Sequence, residues 1–239
     1  MTRVLILLLL MLGAGSAFAG GVTVAVAANF LTTAEAIAER FEAETGHSVT
    51  LAHGSTGQIF AQIEAGAPFD VFLSADARRP ELLEESGKAV EVRAYALGRL
   101  VLVSKDEVSR DTAAERFVGR TAALADPTVA PYGLAATAAM ERLNLDTATF
   151  RPVLVANVGQ VATVFATGNA DFAFVSASQL PQIDAPHVLE LGGLYPPIVQ
   201  SAALLPRASE NPAARAFWDW LFSDGSRSLI EASGYDLPE

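Results

Sequence analysis

The chain has 239 residues, no cysteine and a formal net charge of −11. The acidic balance excludes nucleic acid and anionic membrane surfaces as partners. Without cysteine there is no disulfide framework and no thiolate metal site, so the hydrophobic core alone must hold the fold.

The first nineteen residues read as an export signal. Arg3 is the charged start, Val4 to Leu12 the apolar core, and Ala17-Phe18-Ala19 an A-x-A cleavage site. The apolar run is well short of the roughly 20 residues that cross a bilayer. The mature chain is expected to begin near Gly20, as a free soluble protein in a bacterial periplasm. What remains is long enough to bury a core as one large domain or as two lobes.

Val22–Val26 is an apolar strand of β-branched and small residues, and Leu31–Glu44 a helix with Ala34, Ile37, Ala38 and Phe41 on one face. Asn29, between them, is placed to cap the helix. Ser48–Ala52 is a second strand. It is followed by the turn Gly54-Ser55-Thr56-Gly57 and a helix over Gln58–Ala65. Phe69–Ser74 is a buried strand and Pro80–Ser86 a short acidic helix. The alternation predicts an α/β fold with a parallel sheet and helices on its faces.

Further on, Leu100–Val103 and Ala122–Leu124 are strands, separated by the polar stretch Lys105–Gly119, a loop or surface helix. Pro131-Tyr132-Gly133 precedes a helix over Leu134–Leu143. Asn157-Val158-Gly159 joins the strand Val153–Ala156 to a helix over Val161–Thr167. Phe172–Ser176 and Ile198–Leu205 complete the strands. Asn211-Pro212 opens a helix whose core face is Phe217, Trp218 and Leu221, and a final short helix ends near Gly234. Trp218 and Trp220, two apart, cannot share a face, so one packs and the other is partly exposed. No internal repeat is visible.

Four strand-to-helix junctions thus carry small polar or turn residues: Asn29, Ser55-Thr56, Tyr132-Gly133 and Val158-Gly159. A helix start leaves backbone N–H groups unpaired at the positive end of its dipole, which makes an anion site. In open α/β sheets ligands bind beyond the carboxyl ends of the strands, where these junctions lie. No nucleotide-binding, nucleophile-elbow or zinc-helix motif occurs. His47, His53 and His187 lack metal-ligand spacing. Asp70, Asp76 and Asp126 read as solvated turn carboxylates or helix caps.

The stretches V-A-V-A-A-N-F at 24–30, G-S-T-G at 54–57, Q-I-E-A-G-A-P-F-D-V-F-L-S-A-D at 62–76, A-D-P-x-x-A-P-Y-G at 125–133 and A-N-V-G-Q at 156–160 resemble the periplasmic molybdate-binding proteins of ABC transporters. The resemblance spans essentially the whole mature chain. It implies a two-lobed type II periplasmic binding protein fold, with lobes 20–98 plus 199–239 and 99–198. A tetrahedral oxyanion, molybdate or tungstate, would lie between them and pass to a membrane permease. It carries ligand positions onto Asn29, Thr56, Tyr132 and Val158, flanked by Ala28 and Ser55. Ser176 stands where some members place a binding tyrosine. The resemblance implies no cofactor, no protein ligand to the metal, no catalysis and a monomer. The competing expectations are a receptor for sulfate, thiosulfate or another small anion, and an exported hydrolase using Ser55 or Ser176.

Overall fold

Val22, Val24 and Val26 alternate with small residues in β1 (Gly21–Ala27), and Val24 to Ala27 are all buried. A strand buried on both faces is the mark of a sheet covered by helices on both sides. The computed structural model describes residues 20–239; the expected signal at 1–19 lies outside the described residues. A 3-10 turn at Ala28–Phe30 leads from β1 into α1 (Leu31–Thr45), which buries Ala34, Ile37, Ala38 and Phe41 and ends at Gly46 in the left-handed conformation, φ 74°.

The chain continues through β2 (Ser48–Gly54), α2 (Thr56–Glu64), β3 (Val71–Leu73), α3 (Arg78–Glu85), β4 (Glu91–Gly98) and β5 (Leu100–Ser104). Then come α4 (Ala113–Phe117), β6 (Thr121–Ala125), α5 (Pro131–Arg142), β7 (Arg151–Val155), α6 (Val158–Ala166) and β8 (Phe172–Ser176). A 3-10 segment at Ala177–Gln182, β9 (His187–Glu190), β10 (Ile198–Leu204), α7 (Pro212–Leu221) and α8 (Asp224–Ala232) complete it.

The strands form two five-stranded sheets, ordered β2-β1-β3-β10-β4 and β7-β6-β8-β5-β9. Each has three parallel strands and then two further antiparallel pairings: β10 against β3 and β4, and β5 against β8 and β9. The sheets are therefore mixed, not parallel as expected. The cause is that β10 and β5 join from the chain crossings rather than through a helical crossover. The chain passes between the sheets twice, at Arg99 and over 191–197.

Each sheet is covered on both faces. In the first, α1, α7 and α8 bring Phe41, Phe217 and Trp218 to one side, and α2 and α3 bring Ile59, Ile63 and Leu83 to the other. In the second, Phe117 of α4 stacks on Phe172 beside Met140 of α5, and α6 packs Val161 and Phe165 on the opposite face. Trp220 is half-buried and donates to Glu44 Oε2 at 3.0 Å, whereas Trp218 is buried.

The identical strand order marks a structural repeat that the sequence conceals. One pair of residues betrays it. Asp70, just before β3, accepts from the Thr23 N–H at 2.8 Å; Asp171, just before β8, accepts from the Thr121 N–H at 2.9 Å. Asp70 is thus not a solvated turn residue or a helix cap. It is fully buried, because its carboxylate serves the backbone N–H of Thr23 within β1. Its other oxygen has no hydrogen bond, and the Arg207 guanidinium stands 3.7 Å away. Asp76 and Asp126 do cap turns, accepting from Arg79 N and Thr128 N respectively.

Asp70→Ala is expected to lower unfolding free energy by about 1–3 kcal/mol, the cost of a buried backbone donor left unpaired. Asp171→Ala, at a carboxylate 30% exposed, is expected to cost less. Urea denaturation of the two variants checks the order, and equal midpoints would contradict it.

Candidate functional site

The first two parallel strands of each sheet run directly into helix starts: β1 into Ala28-Asn29, β2 into Ser55-Thr56, β6 into Pro131-Tyr132, and β7 into Asn157-Val158. α1 begins at Leu31 as expected, after its 3-10 turn, whereas α2, α5 and α6 begin two or three residues earlier than expected, so their turn residues themselves form the first helical turns. All four starts line one cavity, together with Ala27, Gly54, Ala75 and Ala130. Only about 10 Å3 of it is open to the centre of a water molecule. That is room for a small ion rather than for an organic ligand of drug size.

At β1, Ala28 and Asn29 open the 3-10 turn, and their N–H groups have no partner within it. Asn29 does not cap α1, as expected from its position; no side chain does. The 3-10 turn carries the Asn29 amide away from the helix start, where its Nδ2 donates to Gln200 Oε1 at 3.0 Å and to Tyr235 Oη at 3.1 Å. Both amide hydrogens are spent there. Toward the cavity Asn29 offers its main chain.

At β2, Ser55 caps α2. Its Oγ accepts from Gln58 N at 3.3 Å, and Gln58 Oε1 accepts from Ser55 N at 3.4 Å, a reciprocal capping box. Thr56 Oγ1 accepts from Ala75 N at 3.2 Å. Both hydroxyl oxygens thus work as acceptors, and among the described residues neither hydroxyl hydrogen has an acceptor.

At β6, Pro131 occupies the first position of α5, where a missing N–H costs nothing, and Tyr132 follows with its N–H at the cavity. The Tyr132 phenol points away from this opening. It accepts from Ser176 Oγ at 3.0 Å and from Gln200 Nε2 at 3.3 Å. Gly98 is required beside it, since a Cβ there would collide with the phenol oxygen. At β7, Asn157 caps Gln160 N at 3.0 Å and leaves the Val158 N–H at the cavity.

Ala28, Asn29, Ser55, Thr56, Tyr132 and Val158 are therefore brought together around one space. Ser176 is not among the lining residues; it sits behind Tyr132, bonded to that phenol and to Ser178 Oγ at 2.8 Å. Reading the sequence missed Gln200, Tyr95, Ser178 and Tyr235. Gln200 carried a signal, a lone amide in an otherwise apolar strand. Ser55 and Ser176 have no base beside them: Ser55 Oγ is the cap acceptor, and His53 is exposed and faces a different groove.

Among the described residues, no Lys, Arg, His, Asp or Glu lines the cavity. Its polarity comes from helix starts and hydroxyl groups, which together present hydrogen-bond donors and the positive ends of four helices. The two sides meet around it. Gly57 N of α2 donates to Val129 O, before α5, at 2.9 Å, and Gln182 Nε2 donates to Thr32 Oγ1 at 2.8 Å. Among the described residues no cluster of three or more His, Cys, Asp or Glu could hold a metal ion.

Two mixed α/β sheets with a donor-lined cavity between them are the architecture of binding proteins that carry small solutes. The family described as bacterial extracellular solute-binding protein matches residues 22–236, and the chain belongs to it. Two relatives similar over nearly the whole chain are ModA proteins. Molybdate-binding protein ModA of Azotobacter vinelandii is 39% identical over 249 residues, covering 96% of this chain and 97% of that one. Molybdate-binding protein ModA of Rhodobacter capsulatus is 42% identical over 233 residues, covering 92% and 89%. The solved structure of the Azotobacter vinelandii periplasmic molybdate-binding protein superposes with a TM-score of 0.85 at 36% identity, over 91% of this chain and all of that one.

Burial pushes the phenols behind the cavity upward: Tyr95 and Tyr132 well above the ordinary tyrosine range, and Tyr235 up to about 12. In the unfolded chain they ionise near 10. Their contribution to stability is therefore complete below about pH 10 and is lost as pH rises toward 12, each phenol costing about tenfold in the folding equilibrium per pH unit. Ultraviolet titration is expected to show these three phenols ionising only together with unfolding. Ionisation in the folded chain near pH 10 would contradict the burial argument.

Proposed function

We propose that this chain is a periplasmic receptor for molybdate, and for tungstate, which it delivers to the permease of an ABC transporter. The single observation that carries this is the convergence of four helix starts on one small cavity that, among the described residues, contains no charged side chain. The names of the two ModA relatives at 39% and 42% identity support the choice of ion. Molybdate and tungstate are dianions with no proton at neutral pH, so a site of donors alone suits them. Phosphate still carries a proton and needs an acceptor. Sulfate has the right charge but is smaller, and a loose fit leaves buried donors unpaired.

In this reading Ala28, Asn29, Tyr132 and Val158 donate from the main chain, and Ser55 and Thr56 donate from their hydroxyl groups. Molybdenum is held as an oxyanion, with no protein ligand to the metal. The lobes are 20–98 plus 199–239 and 99–198, hinged at Arg99 and the 191–197 crossing, and they close over the ion. The receptor acts as an exported monomer, and it performs no catalysis. Because, among the described residues, no histidine, carboxylate, lysine or arginine lines the cavity, affinity is expected to stay constant between about pH 6 and 8, where histidine normally titrates.

Val158→Pro tests the site directly. Asn157 is extended, φ −154° and ψ 165°, as a residue before proline prefers, and proline is tolerated at the first position of a helix. The variant should fold while losing one N–H aimed at the ion. A hydrogen bond to a charged group contributes about 1.5–3 kcal/mol, so calorimetric titration is expected to show molybdate bound about ten- to a hundredfold more weakly, with the ligand-free melting temperature nearly unchanged. Parent-like affinity would place the ion elsewhere, and tighter binding of sulfate than of molybdate by the parent would overturn the choice of ion.

A further inference from the structure

Behind the cavity a ring of buried polar side chains closes between the two sheets, and Gln200 is its centre. Gln200 is fully buried in β10, beside a register shift in the pairing with β4. Such irregularities turn a side chain out of the regular alternation. Its Oε1 accepts from Asn29 Nδ2 and from Tyr95 Oη, each at 3.0 Å, on the side of the first sheet. Its Nε2 donates to Tyr132 Oη at 3.3 Å, on the side of the second. From Tyr132 the ring returns through Ser176 and Ser178, whose Oγ donates to the Asn29 carbonyl at 3.1 Å.

Asn29 and Tyr132 are also cavity residues, one on each side. Each leaves its main-chain N–H for the cavity and turns its side chain to the same amide. We propose that Gln200 is a positioning residue that fixes the spacing of these two helix starts, and thereby the size of anion the cavity accepts. This rests on the receptor reading above.

The chemistry requires an amide at this place. It must accept from one side and donate to the other, which neither a carboxylate nor an ammonium group can do. There is little slack: a Cβ on Gly98 would collide with the Tyr132 phenol oxygen and lie 2.7 Å from Gln200 Nε2. Burial strengthens each bond in the ring, because water does not compete for it. Selection between tetrahedral ions of equal charge depends on donors held to within about 0.5 Å, and a link of fixed length between opposing donors provides that.

The test uses Gln200→Met in the full mature chain, which keeps the length of the side chain and removes both of its polar functions. The protein has no cysteine, so Arg78→Cys and Glu141→Cys give a unique pair of spin labels. Both are exposed, on opposite walls of the groove between α3 and α5. In the ligand-free protein the label distance distribution is expected to broaden in the Gln200→Met variant. Molybdate affinity is expected to fall about tenfold and sulfate affinity to fall less, so that the ratio narrows. Tyr132→Phe should do the same, and the double variant should lose no more than the worse single, since both cut one link. An unchanged distance distribution or an unchanged molybdate-to-sulfate ratio overturns the proposal, even where melting temperature drops. If the parent binds neither ion, the receptor reading fails, and the label distances alone then decide whether Gln200 ties the two sides.

Discussion

Backbone N–H groups at the start of a helix have to be bonded by something outside that helix. In this protein four such starts face each other, and the chain only partly satisfies them. Ser55 and Asn157 each cap a third-position donor, of Gln58 and Gln160, and Pro131 removes one donor altogether. The Gly57 N–H goes to Val129 O across the gap, and others, those of Asn29, Tyr132 and Val158 among them, are left around a space too small for bulk water. A fold arranged this way is incomplete without a small guest rich in acceptors. The sheets, the crossings and the side-chain ring all serve to hold those starts opposite one another.

Neutral donors set the character of the site. A lysine or arginine would bind any dianion and would bring its own flexibility and hydration. Backbone groups at helix starts are fixed by the helices behind them, so selectivity passes from charge to distance. The same choice explains how a chain of net charge −11 can host an anion. Apart from the buried Asp70, its carboxylates lie largely on solvated surfaces where salt screens them, whereas the cavity field comes from a few ångströms away.

Much of this was legible in the residues. Helix and strand positions followed from periodicity, and the junction residues were small, polar or turn-forming, so six cavity residues could be named before any coordinates. What stayed hidden was long-range. The antiparallel entry of β10 and β5 depends on where the chain crosses between sheets, which no local pattern encodes. β9 is short and lies at a sheet edge, with alternate residues half-exposed, so it lacked the apolar run of a central strand. Asn29 looked like a cap because caps are local, yet its partners Gln200 and Tyr235 are 171 and 206 residues away. The burial of Asp70 was hidden for the same reason, since its partner Thr23 belongs to another strand.

The strand order has a consequence for how the chain folds as it is made. The second sheet draws all its strands from one continuous stretch, Leu100 to Glu190, and can assemble as soon as that stretch has emerged. The first cannot. β4 pairs only with β10, and α7 and α8, which cover one face of that sheet, follow β10. The amino-terminal half therefore waits, with β3 and β4 unjoined, for the last forty residues or so to arrive. In a chain that emerges amino-terminus first, the sheet begun later is the first to be finished. The cavity, which needs both sheets, forms only after the last strand and its covering helices have arrived.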